Sequence, residues 1–382
     1  MKITLAPDSF KDSLSAPEVC DCMAKGILRA APDCRIAKVP LADGGEGTVD
    51  ALVTATRGKL YHTNVSGPLG ESVQARWGIL GHKKTAVIEM AQASGLPLVP
   101  ESKRNPRFTT TFGTGELIIH ALDHGCKEII LGIGGSATTD CGCGMAQALG
   151  VQFYDKDDQP ITEPLTGDTL VRVSRIDVSQ TDPRLRDCHV TVACDVSNPL
   201  LGPSGAAAVY GPQKGAQPSD IDILETHLFH MIELIENTIN KRVRNEPGAG
   251  AAGGLGAGLM AFTPAELRSG IDIVLGAVDF DNLISDTELL FTGEGKLDEQ
   301  TAHGKTISGV LARARKQNIP VIALAGTVTD SAHSLYEQGM TAMFSICNSP
   351  TSLQEALENA AWLIETTAEQ VTRTWLAGGV RK

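Results

Sequence analysis

Two stretches of the chain pair carboxylates with lysines. FTGEGKLDEQTAHGKT (residues 291–306) sets Glu294 and Asp298 among Gly293, Gly295, Lys296 and Lys305. APDSFKDS (residues 6–13) sets Asp8 and Ser9 beside Lys11 and Asp12. Carboxylates are ligands for a hard cation, and lysines neutralise phosphate oxygens. Phosphoryl transfer needs both, because it depends on positioning and charge neutralisation rather than on covalent chemistry.

Further stretches are built to approach an anion. LADGGEGT (41–48) places Gly44 and Gly45 between Asp43 and Glu46, and Gly47-Thr48 opens a helix. Backbone N–H groups at a helix start accept an anion, and the two acids suit Mg²⁺. GIGGSATTDCGCG (132–144) offers Gly134 and Gly135 for close backbone approach, with Ser136 and Thr138 as hydroxyl donors. VACDVSNPL (192–200) ends a strand at Asp195 with Asn198 nearby, and PGAGAAGGLGAGLMAF (247–262) contains Gly253 and Gly254 ahead of a helix.

Other motifs fail on their context. GAGAAG (248–253) spells a dinucleotide fingerprint but follows RVRNEP rather than an apolar strand. GKT (304–306) lacks the glycine of a Walker loop, since Glu299 stands in its place. His120 and His124 have Ala121 where a zinc protease has glutamate, and the pairs Cys20/Cys22 and Cys141/Cys143 lack a partner cluster for zinc. A serine-hydrolase elbow is absent.

Strand-to-helix units must position these loops. ITLA (3–6) reads as a buried strand, and a helix follows with Ser15 and Glu18 as a capping box and Pro17 in its first turn. RIAKVP (35–40) and TVDALVTAT (48–56) repeat the pattern. The far end repeats it again: TELLF then a long loop, a helix near 306–317, the strand of IPVIALAG, the strand TAMFSI and a helix over 352–376. Such units build parallel sheets. The reading is therefore α/β, with residues 1–65 and 266–382 forming one discontinuous doubly wound domain. Residues 66–265 form an inserted mixed α/β domain, in which QARWGIL and KTAVIEM pair antiparallel.

Composition restricts the partners. The net charge of −12 argues against nucleic acid and anionic membranes as ligands, and aromatic residues at 4% leave little for base stacking. No run reaches the ~18 apolar residues of a membrane span. The N-terminal apolar stretch is too short for a signal peptide, and nine scattered cysteines read as reduced thiols. The expected location is cytoplasmic.

In order along the chain, PDSFKDSLSA, ADGGEGTVDAL, SGPLGE, AVIEMAQASGL, GTGELI, GIGGSATTD, ACDVSNPL, GPQKGA, PGAGAAGGLGAGLMAF and FTGEGKLDEQT resemble the bacterial glycerate kinases of the glycerate 2-kinase type. The resemblance implies ATP-dependent phosphorylation of D-glycerate to 2-phosphoglycerate, with another small hydroxy acid, the 3-phosphate, or a non-catalytic anion-binding regulatory module as the alternative. It also implies two α/β domains, one a flavodoxin-like parallel sheet built from both chain ends, with the active site in the cleft between them. The chain departs from the family pattern at Cys141, where glycine is usual, and at Cys143, where a small residue is usual. Lys296 and Glu299 stand for the usual Arg and Ser, and Ile307 and Thr306 for the usual proline and an apolar residue.

On residue chemistry, Lys11 and Lys296 are the expected catalytic cations and Asp195 the base or orienting group for the glycerate hydroxyl. Asp8, Ser9, Asn198 and Arg104, in KRNP, are expected to bind the substrate, the guanidinium fork matching its carboxylate. Gly44, Gly45, Gly134, Gly135, Ser136, Thr138, Gly253, Gly254, Gly293, Gly295 and Lys305 are expected at the nucleotide phosphates. Asp43, Glu46, Glu294 and Asp298 form the pool of Mg²⁺ ligands. The reading leaves a homo-oligomer open.

Overall fold

Apolar runs at both chain ends form the strands of one sheet. In the computed structural model, which describes residues 1–81, 84–302 and 306–379, this sheet has five strands. Their spatial order is Arg35–Lys38, Lys2–Leu5, Leu289–Leu297, Val321–Val328 and Met340–Ser345, all parallel. Counted along the chain this is the order 2-1-3-4-5, which is the flavodoxin-like arrangement. Ile3, Leu5, Leu289, Leu290, Phe291 and Leu324 are fully buried, as expected where helices cover a parallel sheet.

The helix Ala16–Ala30 starts at Ser15, whose N–H donates to Glu18 at 2.8 Å. Its stripe of Val19, Met23 and Ile27 packs with Ile364 and Ala368 of the helix Ala360–Gly379. A Cβ on Gly26 would lie 2.0 Å from the Glu365 carbonyl oxygen, so glycine sets the closeness of these two helices. The helix Thr306–Lys316 packs on Leu289–Leu297 and on the helix Gly270–Ala277. With Met1–Asp43, Asp50–Arg57 and Gly270–Lys382, these elements form one compact unit.

The second unit comprises Gly44–Val49 and Gly58–Ser269. Its six-stranded sheet runs Ala265–Arg268, His189–Ala193, Glu128–Gly132, Thr85–Glu89, Ser72–Ile79 and Lys59–Ser66. The first four strands are parallel and the last two join antiparallel. QARWGIL and KTAVIEM thus pair antiparallel as expected, Trp77 facing Ile88 and Ile79 facing Ala86. The strand Lys59–Ser66 lies in this second sheet, with Trp77 donating to Thr63 Oγ1 at 3.0 Å across the pair. A short hairpin pairs Gln152–Tyr154 with Arg175–Asp177, and short 3₁₀ helices form at Leu170–Arg172 and Pro183–Asp187.

One expected loop is largely strand. FTGEGKL continues the strand to Leu297, because Val321–Val328 is long enough to pair with it: Glu294 faces Ala325 and Lys296 faces Thr327. No helix among the described residues is long and apolar enough to cross a membrane.

Candidate functional site

In the first unit a cavity of about 570 Å³ opens at the carboxyl ends of the strands. It lies where the order reverses, between Lys2–Leu5 and Leu289–Leu297, the usual ligand position in an open α/β sheet. Asp8, Lys11, Asp43, Glu294, Lys296 and Asp298 all line it, along with Ser9 and Gly295. Residues nearly 290 positions apart come together because the two strands pair: Ala6 N–H donates to Phe291 O at 2.7 Å and Asp8 N–H to Gly293 O at 2.8 Å.

Local structure explains each placement. Phe10 is buried and closes a turn with Leu14 through two backbone hydrogen bonds of 2.8 and 2.9 Å, which leaves Lys11 exposed at the tip. The Asp8 carboxylate accepts from Ser9 N–H at 2.6 Å and from Thr306 Oγ1 at 2.5 Å. Burial raises its pKa, the Thr306 hydrogen bond opposes that shift, and the charge of Asp43 raises it further. Thr301, which is buried, donates its hydroxyl to Glu294 at 2.6 Å and accepts from Asp298 N–H at 3.1 Å. Lys296 Nζ lies 3.0 Å from Asp298 Oδ2. Gly293 is set back in the strand, where a Cβ would lie 2.1 Å from the Leu324 oxygen. Lys305 lies outside the described residues.

The acids do not close into a cage. Among the described residues no three His, Cys, Asp or Glu side chains are grouped to hold a metal. Glu46 is exposed on the Gly44–Val49 segment of the second unit, whereas Asp43, Glu294 and Asp298 line the cavity of the first. Asp43, Glu294 and Asp298 are of the ligand type that a hard cation such as Mg²⁺ takes, an ion that keeps waters and phosphates as further ligands.

In the second unit two glycine loops meet. A Cβ on Gly132 would lie 2.3 Å from the Gly44 oxygen, and one on Gly134 would lie 3.4 Å from Gly45 Cα. Gly134 and Gly135 are exposed, Ser136 is buried, and Thr138 is fully buried with its hydroxyl unpartnered. Beneath the loop, the buried Lys214 donates to the Thr138 carbonyl at 2.7 Å. Asp140, also buried, accepts from Thr111 N–H at 2.8 Å, Thr111 Oγ1 at 2.7 Å, Gly142 N–H at 3.1 Å and Gly144 N–H at 3.3 Å.

Gly253 and Gly254 are not open to a ligand. Both are buried and left-handed, and a Cβ on Gly253 would lie 1.9 Å from the Thr138 oxygen. Their missing side chains let this segment lie on the 138–142 backbone, where Cys141 N–H donates to Gly253 O at 3.2 Å. Cys141 and Cys143 are both fully buried in the core. Asp195 is exposed just past the strand His189–Ala193. The Asn198 side chain donates to Ser204 O at 2.8 Å and accepts from Tyr210 OH at 2.7 Å, which employs it in shaping its own loop. Arg104 Nε lies 3.4 Å from Val99 O.

Sequence reading passed over Thr301, Lys214 and Glu89, and named Thr306 without giving it a role at the site. Glu89 is buried and accepts from Val49 N–H at 2.8 Å. Only its place inside an apolar strand, AVIEM, marked it as unusual.

Comparison with known proteins adds a second line of observation. A model of the "Glycerate kinase family" matches residues 3–376. The "Glycerate kinase" of Bacillus subtilis (strain 168) is 49% identical over 371 residues, covering 97% of each chain. The "Glycerate 2-kinase" of Escherichia coli (strain K12) is 49% identical over 381 residues, covering 100% of this chain and 99% of that one. A crystal structure from Salmonella typhimurium LT2, provisionally named a glycerate kinase 2, superposes with a TM-score of 0.91 at 46% identity over the full length of both chains.

Proposed function

The chain belongs to the glycerate kinase family, and we propose that it transfers the γ-phosphoryl group of ATP to the 2-hydroxyl of D-glycerate, giving 2-phosphoglycerate and ADP. The observation that carries this reading is the cavity that gathers Lys11 and Lys296 with Asp8, Asp43, Glu294 and Asp298.

Charge spreads over the oxygens of a transferring phosphoryl group, and cations placed there lower the barrier. In this reading Lys11 and Lys296 face that charge, and Asp298 orients the Lys296 ammonium at 3.0 Å. Asp43, Glu294 and Asp298 are the carboxylates that would hold Mg²⁺, which supplies further neutralisation of the phosphates. The donor set fits, since all are hard oxygen ligands. Asp8 and Ser9 orient the reacting groups. The exposed Gly134 and Gly135 suit close approach of an anion, and Gly44 and Gly45 lie against that loop. Arg104 is assigned to the glycerate carboxylate and Asp195 to the acceptor hydroxyl.

The test is turnover of D-glycerate by the purified protein with Mg·ATP, followed by phosphorus NMR of the product. Signal at the 2-position is expected. Signal at the 3-position corrects the regiochemistry, and no turnover of D-glycerate overturns the reading. Asp195→Asn should lower kcat by about 10²-fold or more if this carboxylate acts as the base. A kcat near that of the wild type removes it from that role.

A further inference from the structure

Glu89 ends the strand Thr85–Glu89, all of whose residues are buried. A buried polar group costs stability unless it finds a partner. Glu89 Oε1 accepts from Val49 N–H at 2.8 Å. Val49 lies in the first turn of the helix Thr48–Thr56, where N–H groups have no acceptor within the helix. The carboxyl group therefore ties down the start of that helix from another element of the fold.

Gly132 anchors the other end of the same segment. It is the neighbour of Glu89 in register on the adjacent parallel strand, and Met90 N–H donates to Gly132 O at 2.9 Å to continue the pairing. Neighbours in register share a face of the sheet. A Cβ on Gly132 would lie 2.3 Å from the Gly44 oxygen, so only glycine lets Gly44 sit there. Between the two anchors, Thr48 Oγ1 donates to Gly45 O at 2.8 Å, and Gly44 and Gly47 hold left-handed φ of +92° and +87°. The segment so fixed, Gly44–Val49, belongs to the second unit, although Asp43 and Asp50 on either side belong to the first. It lies against the exposed Gly134, whose Cβ would be 3.4 Å from Gly45 Cα.

A glycine loop that receives an anion gains from being set in advance, since order imposed at binding costs affinity. An apolar residue at position 89 would suit a parallel sheet and leave Val49 N–H without this acceptor. Resting on the kinase reading above, we infer that Glu89 is a positioning residue for the reaction. Together with Gly132 it docks Gly44–Val49 against the Gly134–Gly135 loop, and so presets the surface that an anion approaches.

The test is hydrogen–deuterium exchange of the full chain, read on peptides covering residues 44–50, with steady-state kinetics on the same preparations. In the wild type these amides should exchange slowly, and more slowly still with inorganic tripolyphosphate and Mg²⁺. Fast, loop-like exchange in the wild type overturns the dock without any variant. Glu89→Met removes the acceptor at similar side-chain length, and Gly132→Ala displaces Gly44. Each should speed exchange over 44–50 and lower kcat/KM about tenfold, the value of one hydrogen bond to a charged group. The double variant should be no worse than the poorer single one, because both changes break one dock. Glu89→Gln keeps an acceptor oxygen and should rescue exchange and rate. A lowered melting temperature with wild-type kcat/KM in Glu89→Met gives Glu89 a purely structural role and overturns the inference. So do fully additive losses in the double variant. If tripolyphosphate protects 44–50 in a Glu89-dependent manner but D-glycerate is not phosphorylated, the kinase reading fails and the dock stands. Turnover of D-glycerate that Glu89→Met leaves intact overturns the dock alone.

Discussion

The hydroxyl of Thr306 donates a 2.5 Å hydrogen bond to Asp8, a residue 298 positions earlier in the chain. The contact opposes the upward pKa shift that burial and the charge of Asp43 impose on Asp8. Thr306→Val preserves the shape and removes the donor. The Asp8 pKa then rises further, so the carboxylate is lost at a higher pH as the solution is acidified. The acid limb of the kcat/KM profile should move upward, with about a tenfold loss of activity on that limb, the value of one hydrogen bond to a charged group. Thr306→Ser should restore the profile. An unmoved limb removes Thr306 from the role of positioning Asp8.

Lys296 is 59% exposed and sits 3.0 Å from Asp298. Exposed pairs contribute little to folding, so Lys296→Ala should change stability by no more than about 0.5 kcal/mol. The same change should lower kcat by about 10²-fold if the ammonium faces the transferring phosphoryl group. Lys296→Arg keeps the charge and should retain most of the activity. Thermal melts and steady-state rates on the same preparations separate the two effects. An active alanine variant dismisses the cationic role.

Cys141 and Cys143 stand where the GIGGSATTD loop runs into the helix Cys143–Ala148. Cys141 has φ +56°, a backbone conformation that glycine adopts more readily, and both thiols are fully buried. Burial pushes the Cys143 thiol well above its ordinary pKa, which disfavours the thiolate that a nucleophile or metal ligand needs. The double variant Cys141→Gly, Cys143→Ala should keep kcat. It should lose about 1–2 kcal/mol of stability where core volume is removed, partly offset by backbone relaxation at position 141. Metal analysis of the wild type should find no zinc. Loss of activity in a folded double variant contradicts the packing role.

Lys214 is 2% exposed and its pKa is pushed down to about 7 by burial, with the charge of Asp140 opposing. The unfolded chain holds this proton up to about pH 10.4. Between those values the unfolded state binds more protons, so this group makes stability rise with pH by about 1.4 kcal/mol per unit. Below pH 7 both states are charged and the slope from this residue disappears. Lys214→Met removes the contribution. Urea midpoints at pH 7 and 9 should show the wild type gaining about 2–3 kcal/mol relative to the variant. Equal gains in both proteins show that Lys214 titrates normally.

Much of the architecture was legible in local patterns. The Ser15–Glu18 capping box, with Pro17 in the first turn, starts the helix Ala16–Ala30. Short-range chemistry sets such features, so neighbouring residues suffice to read them. The extent of the strand Leu289–Leu297 was not legible, because a partner strand rather than its own glycine-rich composition makes FTGEGKL extended.

The site shows the same division. Residue types alone marked Asp8, Lys11, Asp43, Glu294, Lys296 and Asp298 as groups able to manage phosphate and a hard cation, since charge and donor chemistry belong to the side chain wherever it lies. Tertiary structure alone decided that these six line one cavity, because the parallel pairing of Lys2–Leu5 with Leu289–Leu297 joins loops from opposite ends of the chain. It also separated glycines that composition cannot tell apart. Gly134 stays exposed, while Gly253 is buried against the Thr138 carbonyl, since whether a missing side chain serves a ligand or another backbone depends on what folds against it.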